Sequence, residues 1–411
     1  MRQTVSIVKI VDCDFEAAVR EAIEQAGGFS DLIRSDSRVL VKPNLVKPFP
    51  SGSGMVTDAR VTEAVTRAVL DCGPASVTIA EGASVGYDDR SYSTEDVFTV
   101  SGTAAVARRL GVECVHLNSD IAVAVEVPEP LAMDRVLVAR TVLESDVVIS
   151  VPVLKTHNRA NATIALKNMY GALPGTEKRA GHMLGINNTL LDLFSVLRPS
   201  FAVVDASVAM EGRWRSPEDS RLMGLILAGR DALATDLVGC ALMGIDPDSV
   251  MYLRHMTQWD GEVSGIGDVD VVGESVIAHA ECFRPAFEAL LDSFPGVEVP
   301  RGPGLCGGCI AELESALRYL KEAGYEQEMN GLTILVGAPG EFDGGDKVAV
   351  IGECSADIND GWPMAPGCPP SEEDVIEALC AACGADPALV MSVRDDVRRE
   401  MWDSSKDLIG R

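Results

Sequence analysis

The chain has 411 residues, 47% hydrophobic and 24% charged, the composition of a globular protein with length enough for two or three domains. Its 62 Asp and Glu against 35 Lys and Arg give a formal net charge of −27, which argues against nucleic acid and anionic membranes as partners. Eleven cysteines in a long chain whose start reads as a strand, not a signal peptide, point to reduced thiols or metal ligands rather than a disulfide scaffold, and so to a cytoplasmic protein; no run approaches the ~18 apolar residues of a membrane span.

Residues 1–295 alternate between two patterns. Apolar, largely β-branched runs at Val5–Val11, Val39–Val41, Ser76–Ala80, Val136–Val138, Val147–Val153, Phe201–Val204 and Met223–Leu227 read as strands. Helical spacing marks Phe15–Gln25, Thr57–Asp71, Ala104–Leu110 and Asn188–Leu197. This alternation predicts an α/β fold, a mostly parallel sheet with helices on both faces. In such a sheet ligands sit beyond the carboxyl ends of the strands. The residues just past these runs are polar: Lys42 and Asn44, Glu81, the stretch Lys155-Thr156-His157-Asn158-Arg159, and Asp205. Ser51-Gly-Ser-Gly54, ahead of a helix, offers either an anion cradle or a flexible loop.

Residues 294–305 are rich in Pro and Gly and read as a linker. Beyond it, residues 296–411 form a smaller α/β unit that contains the cysteines of interest. Ile310, Leu313, Leu317 and Leu320 mark a helix; Leu332–Val336 and Lys347–Ile351 read as strands; Ser371 and Asp374 form an N-cap signature; Val390–Leu408 reads as a charged helix.

Four cysteines of this unit fall at element ends. Cys306-Gly-Gly-Cys309 opens the first helix, Gly352-Glu-Cys354 comes after a strand, and Gly367-Cys368-Pro-Pro precedes the Ser371 cap. Helix N-termini favour thiolates, and flanking glycines let backbone N–H groups approach sulfur. Structural zinc usually shows two Cys-x-x-Cys knuckles, and here one knuckle is joined by two separated cysteines, one of them preceding Pro. The expectation is a [4Fe–4S] cluster on Cys306, Cys309, Cys354 and Cys368; zinc, a redox dithiol or unrelated cysteines are the alternatives. Cys380 and Cys383 lie on an apolar helical stripe and read as core.

In the larger unit, Lys155 and His157 leave a buried run and Lys167-Asn168 come next, with Gly171 to Gly175 and His182 beyond. Lysines hold carboxylates or phosphates, and histidine moves protons near neutral pH. Lys155, His157 and Lys167 are therefore the candidate catalytic residues, and Lys42, Asn44, Asn168 and Asp205 the candidate substrate ligands.

Val41-Lys-Pro-Asn-Leu-Val46, Ser150-Val-Pro-Val-Leu-Lys-Thr-His157, Ala165-Leu-Lys-Asn-Met-Tyr-Gly171 and Val204-Asp205 resemble the domain-of-unknown-function 362 family over about residues 35–250. The resemblance implies an α/β core in which Lys42, Asn44, Lys155, His157, Lys167, Asn168 and Asp205 match motif positions. It brings no assigned reaction. Many relatives bind clusters through ferredoxin-like cysteine repeats; this chain lacks them and carries its dispersed cysteine set instead. The reading expected is an iron–sulfur oxidoreductase acting on a small anionic substrate, with a ferredoxin-type electron donor and no nucleic-acid or membrane partner. The alternatives are a non-enzymatic electron-transfer or cluster-carrier protein, or a binding protein stabilised by zinc or a dithiol.

Overall fold

The computed structural model describes residues 2–84, 93–175, 177–213, 217–259, 261, 263–300, 305–340, 342 and 344–409. Sixteen strands are described among them: β1 (Gln3–Lys9), β2 (Arg38–Pro43), β3 (Ser76–Glu81), β4 (Glu113–His116), β5 (Ala122–Glu126), β6 (Arg135–Ala139), β7 (Val147–Val151), β8 (Val153–His157), β9 (Asn161–Thr163), β10 (Phe201–Met210), β11 (Ser220–Gly229), β12 (Val269–Gly273), β13 (Val297–Glu298), β14 (Leu332–Val336), β15 (Val348–Ile351) and β16 (Met364–Ala365).

The larger unit is built on a ten-stranded sheet in the order β12-β1-β11-β10-β7-β2-β3-β4, with β8 paired to β10 and β9 paired to β8. Pairing is parallel from β10 through β7, β2 and β3 to β4, and antiparallel around β11. The centre strand β7, Val-Val-Ile-Ser-Val, is buried along its whole length, as a strand covered on both faces must be. The fold class read from the sequence is therefore the one observed.

Helices cover both faces. On one, Phe15–Gln25 buries Phe15, Ala18, Val19, Ala22 and Ile23, the spacing of a single helical face, and Asp14 caps it by accepting from Ala17 N. Ala59–Asp71 lies beside it with Asp58 as its cap. On the other face, Ala232–Leu242 packs against β10 and β11, and Ile186–Val196 joins the same core. The loop of residues 51–54 is tied to the start of the second helix through Ser51. Its hydroxyl donates to Asp58 Oδ1 at 2.9 Å and accepts from Ala59 N, so the glycine-bearing loop serves to start the second helix.

Three local readings change. The run Val147–Val153 splits at Pro152, which has no N–H to give the ladder. Lys155, Thr156 and His157, expected in a loop after the strand, instead form the buried strand β8. Val136–Val138 lies in β6, which pairs with β5 in a two-stranded hairpin apart from the large sheet.

The smaller unit is a four-stranded parallel sheet, β13-β14-β15-β16, packed against the helices Gly307–Glu322 and Glu372–Cys383. Val297, expected in a linker, pairs with Leu332 in β13, because its neighbours Phe287, Leu290 and Phe294 already belong to this unit's core. Residues 301–304 of that stretch lie outside the described residues. Ser371 caps its helix by accepting from Asp374 N, and Cys380 and Cys383 are buried in the core as their stripe implies. Among the described residues no helix is long and apolar enough to cross a membrane.

Candidate active site between the two units

The carboxyl ends of β2, β3 and β7 meet in one buried hydrogen-bonded network. Lys42 at the end of β2 is fully buried and pairs with Glu81 Oε1 at the end of β3, 2.8 Å away. The other carboxylate oxygen of Glu81 accepts from Leu45 N. Asn168 ties the strands together: its Nδ2 donates to Lys42 O and Ser150 Oγ, and its Oδ1 accepts from Lys42 Nζ and Asn44 Nδ2. Asn44 Oδ1 accepts in turn from Lys155 Nζ at 2.6 Å. Asn168 is held in place by the short helix Ala165–Asn168, whose first two amides donate to the buried carboxylate of Asp236.

Above this network lies a cavity of about 630 Å³. Its floor carries Asn44, Glu81, Lys155, His157, Lys167 and Asn168; Lys178, Arg179 and His182 close one side; Leu290, Phe294, Glu314, Arg318 and Lys321 of the smaller unit close the other. Nine Lys and Arg side chains line it against two carboxylates, an inversion of the charge balance of the whole chain.

Burial governs the ionisation of these groups. Lys155 is pushed down to about 7 by desolvation and then by the charge of Lys167; Lys167 falls to about 7 through desolvation and Lys42; Lys178 falls to about 7 through desolvation. The amines differ in their partners. Lys178 Nζ donates to Asn118 Oδ1, Gly82 O and Ala83 O, and Lys155 Nζ to Asn44 Oδ1 and Met55 O. Lys167 Nζ has no hydrogen-bond acceptor among the described residues; the ring centroid of Tyr170 lies 5.6 Å away. His157 and His182, their rings 6.5 Å apart, are both held well below the ordinary imidazole value by burial and then by Lys167. His157 Nδ1 accepts from Arg159 N and Ala160 N, so the proton of the neutral ring sits on Nε2.

Of the residues singled out in the sequence, Asn44, Lys155, His157, Lys167 and Asn168 line the cavity. Lys42 and Asp205 do not. Lys42 stands behind the wall in its pair with Glu81. Asp205 accepts from Asp58 N and from the Ser207 hydroxyl, which positions the start of the second helix; burial raises its carboxyl to about 6. Lys178, Arg179, Arg213, Arg318 and Lys321 were not anticipated. A local signal existed for the first two: residues 154–183 contain five Lys or Arg and a single acid, Glu177, in a chain dominated by acids.

The four cysteines converge at the inter-unit face. Cys306 and Cys309 begin the helix Gly307–Glu322 and are buried, whereas Cys354 and Cys368 are exposed. A Cβ placed on Gly352 would lie 2.9 Å from Cys309 Sγ and 3.7 Å from Cys354 Sγ, and one on Gly308 would lie 3.6 Å from Cys306 Sγ and 3.1 Å from Pro369, next to Cys368. Two glycines thus leave open the space that the thiols share. Cys306 is drawn down to about 5 by the thiol of Cys309 and by the amides of Gly308 and Cys309, with Arg254 adding its charge, while Cys309 is pushed up by Cys306 and by burial. As placed, no three His, Cys, Asp or Glu side chains among the described residues could hold a metal ion. An all-thiol donor set spread over three motifs suits a multi-iron cluster, whose ligands stand around a larger body, better than a lone ion.

The cysteine helix also reaches the cavity. Arg159 donates to the Ser315 hydroxyl at 2.5 Å and Asn158 to Glu314 at 3.0 Å. At 1.5 Å per residue, Glu314 in the cavity wall is about 7.5 Å along that helix from Cys309.

Three similarities to known proteins accompany this geometry. The family described as "Domain of unknown function (DUF362)" matches residues 39–241. A thylakoid-associated protein, sll1697, of Synechocystis sp. is 25% identical over 240 residues, covering 57% of this chain and 71% of its own. The lactate racemase apoprotein of Thermoanaerobacterium thermosaccharolyticum aligns over 81% of this chain and 82% of its own at 14% identity and a TM-score of 0.39.

Proposed function

We propose, for a chain that through residues 39–241 belongs to the domain-of-unknown-function 362 family, that the cavity binds a small carboxylate- or phosphate-bearing substrate and that the protein acts on it as an iron–sulfur oxidoreductase. One observation carries the reading. An acidic chain gathers nine basic side chains around one cavity, and a wall of that cavity is the helix whose first turn holds Cys306 and Cys309. An anion in the cavity would offset the cost of burying these basic groups.

In this reading Cys306, Cys309, Cys354 and Cys368 hold a [4Fe–4S] cluster, which supplies one-electron chemistry when bound. Lys155, Lys178 and Arg179, which line the cavity, lend the anion their positive charge. His157 offers a neutral Nε2–H to a substrate oxygen; with Nδ1 occupied by backbone donors it serves as donor rather than base. Exposure of Cys354 and Cys368 leaves the outer face open to a ferredoxin-type donor. All eleven cysteines are free of disulfides, which suits a reducing cytoplasm.

The same exposure favours a second reading, an electron carrier whose cavity binds a regulatory anion. Anaerobic purification with iron and sulfide analysis and EPR tests the cluster: about four irons per chain are expected, and their loss in Cys354→Ser. Zinc in place of iron would sink both readings. Lys155→Met should keep the iron and lose anion binding and turnover; unchanged turnover in that variant would count against the enzyme.

A further inference from the structure

We infer that Lys167 is a nucleophilic amine, and that the anion the cavity takes carries an aldehyde or ketone carbon, as a 2-oxo acid or a phosphorylated aldehyde does, which Lys167 captures as an imine. This rests on the anion-binding reading of the cavity and adds to it a reacting atom and a substrate class.

The buried lysines of the site have different employment. Lys42 is paired with Glu81. Lys178 is surrounded by three oxygen acceptors, and Lys155 donates to Asn44 and Met55, arrangements that use the N–H bonds of an ammonium. Lys167 lines the same cavity at 8% exposure without an acceptor among the described residues. Only the Tyr170 ring, 5.6 Å away, favours its charge, and burial with the nearby Lys42 ammonium outweighs that, so a large share of the amine is free near neutral pH. Its position is fixed, because the helix Ala165–Asn168 is pinned at its start by Asp236 and at its end by the hydrogen bonds of Asn168.

The rest of the cavity supplies what such a reaction needs. The positive charge of Lys155, Lys178 and Arg179 in the cavity lining favours the carboxylate or phosphate, and His157 has a neutral N–H for the carbonyl oxygen. The Lys167 nitrogen forms a bond to the carbonyl carbon, and the C–O π bond opens to a carbinolamine. That oxygen, having gained two protons, one from the amine and one relayed from solvent, leaves as water. The nitrogen keeps its second hydrogen, so the product is the protonated imine, and hydrolysis reverses every step. Nothing is oxidised or reduced in the capture itself.

The test uses the full-length protein with glyoxylate and sodium cyanoborohydride at pH 7, then peptide mass spectrometry. An exposed lysine with a reference value near 10.4 is almost wholly protonated there, so Lys167 should be labelled about tenfold or more above the surface lysines. Excess inorganic phosphate should suppress the label. Lys167→Arg should remove it from that peptide while phosphate still binds by calorimetry. Labelling without preference for Lys167 in a wild-type protein that binds phosphate normally would overturn the nucleophile and leave the anion site standing. Preferential labelling of Lys167 in a protein that binds no phosphate would support the nucleophile and overturn the anion site. Both wild-type comparisons hold whether or not the variant folds.

Discussion

Nδ1 of His157 accepts two backbone N–H groups, and a backbone N–H can only donate, so the tautomer is set by the turn at Arg159 and Ala160. Long-range 15N–1H correlation should show an unprotonated Nδ1 and a protonated Nε2 across pH 6 to 8; a doubly protonated ring in that range would remove His157 as a neutral donor. Lys167 makes a second prediction at this scale. Its value of about 7 in the fold lies below the ordinary 10.5, so the unfolded chain binds more protons between those limits. The penalty is therefore complete below pH 7 and fades as pH rises toward 10.5. Lys167→Met should stabilise the ligand-free protein at pH 6.5, by at most on the order of 5 kcal/mol, and give no gain near pH 10.5, as read from urea unfolding at both values. Residue types and their place after a buried run singled out Lys155, His157 and Lys167, which line the cavity. They could not show which lysine lacked an acceptor, because Asn44, Asn118 and the carbonyls of Met55, Gly82 and Ala83 come from other elements.

Strand ends and short helices place these groups, and glycine makes the closest approach possible. A Cβ on Gly171 would overlap Glu81 Oε1 and stand 2.5 Å from Lys42 Nζ. Gly171→Ala must therefore separate the buried pair, with an expected loss of about 3–5 kcal/mol by chemical denaturation, the cost of leaving a buried charge uncompensated. Wild-type stability in that variant would mean that the pair contributes little. Elements were legible where period and burial agreed. Phe15–Gln25 was read to its end residues, and β2, β3 and β7 announced themselves as β-branched runs. Glu113–His116 was not, since an edge strand whose side chains are at most half-buried and whose ends are polar has no continuous apolar run. The continuation of Val147–Val151 into β8 was hidden for a different reason: Pro152 reads as a stop, and the pairing of β8 with β10 is a long-range fact. The Lys-Pro-Asn and Leu-Lys-Asn signatures were visible as text, whereas the hydrogen bonds of Asn168 to Lys42 and Asn44 give the physical reason that one chain needs both.

Charge is arranged at the scale of the molecule. A surplus of carboxylates elsewhere surrounds one cavity lined by nine basic side chains, and this placement was beyond the sequence because Arg318 and Lys321 come from a helix more than a hundred residues downstream of Lys178. The field of the outer surface repels anions at a distance, screened over about 8 Å at physiological salt, while the cavity attracts them at close range. An anion that fits should therefore stabilise the fold in proportion to its occupancy, by about 2.7 kcal/mol at a concentration one hundred times its dissociation constant. It should also draw protons onto Lys155 and Lys167, whose values near 7 rise once a negative charge stands beside them. Calorimetry of phosphate or citrate binding in buffers of different ionisation enthalpy should thus report net proton uptake at pH 7.5, and affinity should fall as pH rises from 7 to 9. Replacing Arg318 and Lys321 with alanine tests the same idea from the other side of the cavity. Both residues lie in the smaller unit and outside the motif network, yet their loss should weaken the anion at least about tenfold, since each removes a charge the ligand would meet. If the double variant binds as tightly as the wild type, the anion touches the larger unit alone, and the coupling of cavity to cysteine helix loses its physical basis.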